Sequence, residues 1–80
     1  MSKITFDKIV FDPQILGGKP IIKNSRISVS IILEWIASGA TVEDIVAEYK
    51  HLDVEGVRQA VLYAAYTMKN EVNIEINKAA

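Results

Sequence analysis

Thr41-Val42-Glu43-Asp44-Ile45-Val46-Ala47-Glu48-Tyr49, then Lys50-His51-Leu52, then Asp53-Val54-Glu55-Gly56-Val57-Arg58-Gln59: two helical patterns stand either side of a three-residue break. Thr41 is a good helix N-cap, and Glu43 and Asp44 complement the positive end of the helix dipole. Val42, Ile45, Val46 and Tyr49 fall on one helical face. After a break at Lys50-His51-Leu52, Asp53 caps a longer helix whose predicted core stripe is Val54, Val57, Val61, Ala64, Ala65 and Met68, ending near Lys69. A short helix, a tight turn and a longer helix are helix-turn-helix spacing, over residues 41–69.

Upstream, Gly39 stands where a left-handed helix C-cap is expected. Between Val29 and Ala37 only Ser30 and Glu34 are polar, so the helix beginning near Ser28 must be covered on almost every side. Further out the chain reads as extended. Ile4 to Phe11 is rich in β-branched and aromatic residues and stops at Asp12-Pro13. Gly17-Gly18-Lys19-Pro20 punctuates it, and Ile21-Ile22-Lys23 and Arg26-Ile27-Ser28-Val29 flank Asn24-Ser25 as a hairpin, with Lys23 and Arg26 at the tip. At the other end Val72, Ile74 and Ile76 alternate with Asn73, Glu75 and Asn77, a strand signal over 71–77; the alternative is a frayed extension of the last helix. The expectation is one α+β domain over 1–80: an N-terminal β-hairpin region (1–29), a three-helix bundle (29–69) and a possible C-terminal strand.

Eighty residues, half of them apolar, give one small domain with apolar surface to spare. Ile31 and Trp35 extend that surface on the first helix, so a homodimer is expected through them. There is no cysteine, hence no disulfide and no thiolate metal site. No signal-like or membrane-spanning apolar run is visible, which makes the cytoplasm the expected compartment. The net charge of −1 is unevenly spread. Residues 1–30 hold five basic side chains against Asp7 and Asp12, a local +3, whereas residues 31–80 hold four basic against eight acidic, a local −4. Such a division suits a polyanion at one end and a basic protein at the other, or is simply a mixed surface.

No catalytic constellation is apparent. His51 is the one histidine and sits in a turn, the carboxylates Glu43, Asp44 and Glu48 read as a solvated face, and Gly17-Gly18-Lys19-Pro20 lacks phosphate-loop spacing. Neither a cofactor nor a metal is expected, and the chain reads as a binding protein. As a recognition helix, 53–69 would present Arg58 to guanine and Gln59 to adenine, while Lys23 and Arg26 touch phosphates as a wing. The acidic Asp53 and Glu55 oppose that reading. Leu62, Tyr63 and Tyr66, with Val72, Ile74 and Ile76 of the tail, form a second candidate surface for a protein partner. For the tyrosines, packing against the chain's own N-terminal strands is an equal alternative.

Gly18-Lys19-Pro20-Ile21-Ile22, Arg26-Ile27-Ser28-Val29, the Gly39-to-Tyr49 stretch and Gln59-Ala60-Val61-Leu62-Tyr63-Ala64-Ala65 together resemble the family known as "domain of unknown function 433", from about Ile9 to Tyr66. The resemblance implies a winged-helix or homeodomain-like DNA-binding fold. It also implies an antitoxin of a type II toxin–antitoxin pair, which represses their shared promoter and inhibits a toxin resembling the PIN-domain nucleases. The chain departs from the family where Asn24-Ser25 replaces Gly-Thr, and where Ser28 and Lys50 replace prolines. A turn through Asn24 survives the first change. The other function left open is a homodimeric interaction module that binds no DNA.

Overall fold

The computed structural model describes residues 6–71. Two short antiparallel strands come first, β1 (Ile9–Phe11) and β2 (Pro20–Ile22), in the register Ile9↔Ile22, Val10↔Ile21 and Phe11↔Pro20. The connection between them turns tightly. The Gln14 N–H bonds Asp12 Oδ1 at 2.9 Å, and Leu16, Gly17 and Gly18 take successive positive φ angles of 51°, 67° and 85°. Two of those positions go to glycine, which adopts them without steric cost; Leu16 does not have that freedom.

The hairpin expected over 21–29 is reduced to its turn. Asn24 has φ 65°, the Ser25 hydroxyl donates to the Ile22 carbonyl at 2.7 Å, and the Ile22 N–H reaches the Ile27 carbonyl at 2.9 Å. Beyond that a single bridge, Ile21↔Ser28, remains. The ladder goes no further because Ser28 is already the N-cap of α1 (Val29–Ala37), its hydroxyl accepting from the Ile31 N–H at 3.1 Å. The partner that β2 takes along its length is β1.

α2 (Val42–Glu48) starts with a reciprocal cap: the Thr41 hydroxyl accepts from the Asp44 N–H at 3.0 Å, and Asp44 Oδ2 accepts from the Thr41 N–H at 2.9 Å. α3 (Val54–Glu71) is the spine, packing on α1, on α2 and on both strands. Its helix runs through Glu71, so the first residue of the expected 71–77 strand is helical and no C-terminal strand is supported; Val72, Ile74 and Ile76 lie outside the described residues. With Ile9, Ile22, Val29, Ile32, Ile45 and Leu52, the buried Val57 and Ala60 close the core.

The buried face of α3 keeps only part of the stripe expected: Val57 is buried, and Val61 and Ala64 pack against the core. Gly56, Val57, Gln59 and Ala60 face inward, whereas Val54, Ala65 and Met68 are exposed. Small side chains explain the rotation. A Cβ on Gly56 would lie 3.3 Å from Ile22 Cγ2, so the missing side chain lets β2 approach the helix, which turns its small-residue face toward the strands.

Candidate nucleic-acid and partner interface

The turn between α2 and α3 is built by its own hydrogen bonds. The Leu52 N–H reaches the Tyr49 carbonyl at 2.9 Å, which drives Leu52 into the core, and Asp53 caps α3 by accepting the Gly56 N–H on Oδ1 at 2.8 Å. The second oxygen of Asp53 meets Lys8 Nζ at 3.3 Å. The Gly56 N–H, and after it Lys8, hold the Asp53 carboxyl below its ordinary value against the opposing cost of burial.

That turn sits beside the hairpin tip. Lys8, Lys23 and Asn24 share a cleft of about 100 Å³ with His51, Leu52 and Asp53. The tip and the start of α3 therefore form one end of the molecule, with Lys8, Lys23 and His51 on its rim. Arg26, also exposed, lies in a neighbouring recess with Asp12, Lys23 and Asn24. Arg58 is exposed one turn into α3, its guanidinium 3.3 Å from Glu55 Oε2.

Gln59 does not stand with Arg58. Only 5 % exposed, it spends its amide inside the protein: Oε1 accepts the Lys8 N–H at 2.9 Å, and Nε2 donates to Asp7 Oδ1 at 2.9 Å and to Glu55 Oε2 at 3.0 Å. The bond from Gln59 is the main reason the Asp7 carboxyl lies below its ordinary value. The expectation that Gln59 offers its amide to an adenine edge is corrected: it fastens the N-terminal segment to α3.

The tyrosines take the alternative role. Tyr63 meets Phe6 edge to face, ring centroids 5.3 Å apart at 88°, and contacts Phe11 at 6.1 Å. Tyr66 packs on Phe6 at 5.8 Å and remains 46 % exposed. These rings brace β1 and its lead-in against α3, and Tyr66 retains an open flank. Leu62 lies elsewhere, in an apolar cleft of about 340 Å³ with Ile36, Val42, Arg58, Val61 and Ala65. Ile31 is half-buried, and Trp35 is partly covered by its own chain, stacked on Tyr49 at 4.7 Å and 8°. Lys8 and His51 gain a place at this end only because the tip folds next to the helix-turn-helix turn, a proximity invisible in local patterns.

This arrangement has relatives. Residues 9–64 match the family described as Protein of unknown function (DUF433). The chain belongs to the DUF433 family. It is 34% identical over 56 residues to the uncharacterized protein y4eO of Sinorhizobium fredii, a match that covers 70% of this chain and 25% of y4eO. The crystal structure of a DUF433 member from Anabaena variabilis superposes with a TM-score of 0.73 at 27% identity, covering 79% of this chain and 62% of that one. The chain thus spans a quarter of y4eO and under two thirds of the Anabaena protein. The DUF433 match takes in the turn through Asn24, the Ser28 cap, α2, the turn after it and α3 as far as Ala64, Gln59 included; Asp7 and Lys8, which hold Gln59, precede it. Among the described residues, no helix is long and apolar enough to cross a membrane.

Proposed function

We propose that this DUF433 protein is a regulatory binding protein of the antitoxin type rather than an enzyme. In this reading one end grips DNA upstream of its own gene, and the remaining surface holds and neutralises a PIN-like nuclease toxin. The observation that carries the DNA half is the shared cleft of the hairpin tip and the helix-turn-helix turn. It sets Lys23 and His51 beside the N-terminus of α3, so phosphate contacts and a helix end can meet one duplex together. Base reading then falls to Arg58. Its pairing with Glu55 is exposed and worth about 0.2–1 kcal/mol, little enough to be exchanged for a guanine edge.

The test is fluorescence anisotropy on the DNA upstream of the gene. Arg58→Ala should relax sequence preference by about 1–3 kcal/mol, whereas Lys23→Ala should weaken all sequences alike and reduce the salt slope by about one unit. An absence of binding at low salt would remove the DNA half. The second reading, a homodimeric interaction module without DNA, is favoured by the apolar cleft of Ile36, Val42, Val61, Leu62 and Ala65. A dimer that sediments as such while binding no DNA would put that reading first.

A further inference from the structure

Between the end of α1 and α2 lies a cleft of about 250 Å³ lined by Trp35, Ala40, Asp44, Ile45, Glu48 and Tyr49. The stacked Trp35–Tyr49 pair lines it, together with Asp44 and Glu48, acidic residues one helical turn apart on α2. The capping box fixes Asp44 by one oxygen, and bonds from Thr41 hold its carboxyl below the ordinary value, so it stays ionised. The Glu48 side chain makes no hydrogen bond or ion pair among the described residues. From Ile27 to Tyr49 the chain has Glu34, Glu43, Asp44 and Glu48 and not one basic residue. A flat aromatic wall beside unneutralised carboxylates repels phosphate and attracts a cation that can also stack.

We propose that this cleft is a docking site for an arginine side chain of a protein partner. A guanidinium lies flat against aromatic rings and forks its N–H groups onto a carboxylate, whereas a lysine ammonium is compact and strongly hydrated. Trp35 thereby faces a partner of basic chemistry rather than a second copy of its own apolar surface. The inference deepens the partner-binding half of the proposed function and rests on it for the partner's identity, while the cleft itself supplies the chemistry.

Trp35 is the single tryptophan of the chain, so its emission reports on the cleft directly. Titrating the full chain with a nona-arginine peptide should change that emission saturably. Nona-lysine should bind several-fold more weakly, and nona-glutamate should have no effect. Glu48→Gln and Tyr49→Leu should each weaken nona-arginine roughly fivefold or more, and Glu43→Gln, outside the cleft on the same helix, should leave it within about twofold. Circular dichroism melts establish that the variants fold; if Tyr49→Leu does not, Glu48→Gln decides. Equal losses from Glu43→Gln and Glu48→Gln, or equal affinity for the two basic peptides, would overturn the site in favour of diffuse attraction. So would Trp35 emission that depends on protein concentration without peptide, which would mean a second copy fills the cleft. A chain that passes while no toxin co-purifies keeps the cleft and loses the antitoxin reading. Full neutralisation of a toxin by Glu48→Gln would do the reverse.

Discussion

Truncating Gln59 to alanine removes three hydrogen bonds at once: the Lys8 N–H loses its acceptor, and Asp7 and Glu55 each lose a donor. The two carboxylates are exposed and can rehydrate, so their share of the loss is small. The part-buried Lys8 N–H costs about 1–3 kcal/mol when left without a partner, and the lost methylene packing adds about 0.8 kcal/mol per buried CH₂. The expected total is about 3 kcal/mol, a large share of the ~4–12 kcal/mol available to a domain of this size. In a melt that corresponds to a fall in Tm of roughly 12–24 °C. Gln59→Glu tests the same geometry through charge. A third carboxylate between Asp7 and Glu55 would have a raised folded-state pKa, so that variant should regain stability relative to the parent as pH falls through that value. Urea unfolding of both variants at pH 7 and pH 5 measures the effect. A Gln59→Ala change within about 0.5 kcal/mol of the parent would mean that the side chain is a surface group and fastens nothing to α3.

Two further outcomes follow from the caps and the close approach at Gly56. Asp7, Asp44 and Asp53 all have folded pKa values below the ordinary 3.8, so the stability they contribute is complete above that pH and is lost as pH falls through the depressed values. Asp53→Asn should flatten this acid limb in a pH series of urea midpoints, and an unchanged limb would contradict the Gly56 and Lys8 contacts assigned to Asp53. Gly56→Ala gains about 0.8–1 kcal/mol of helix propensity but places a Cβ 3.0 Å from Asp53 Oδ1 and 3.3 Å from Ile22 Cγ2, an overpacking cost of about 1–3 kcal/mol. The net result should be destabilisation of about 1 kcal/mol by chemical unfolding, and a stabilised variant would refute the tight approach.

Local signals in the chain suffice for the helices: Thr41 and Asp53 cap where a capping residue is expected, α1 begins next to Ser28 as expected, and Gly39 takes φ 107° just past α1. They failed where the answer depended on what packs across. Apolar periodicity assigned Val54 and Met68 to the core, but the small Gly56 and Ala60 mark where β2 and the core come closest, and that turns Gln59 inward. A stripe of small residues in α3 was the available clue. The 21–29 hairpin stops at its turn and one bridge because Ser28 serves as a helix cap, leaving β2 to pair along its length with β1. For the interface, Arg58, Lys23 and Arg26 emerged exposed as read, Tyr63 turned to its own chain, and the pairing of Trp35 with Tyr49 needed two helices in place.

The hairpin tip and the start of α3 are proposed to act as one DNA-gripping end. Amide chemical-shift mapping with the upstream DNA tests it most directly, in ¹H–¹⁵N spectra recorded at low and moderate salt. Perturbations should be confined to the amides of 23–26, 51–55 and Arg58 and fade together as salt rises, with Gln59 unmoved in its side-chain amide signals. Shifts concentrated on Trp35, Asp44 and Glu48 instead, or none at any salt, would contradict it.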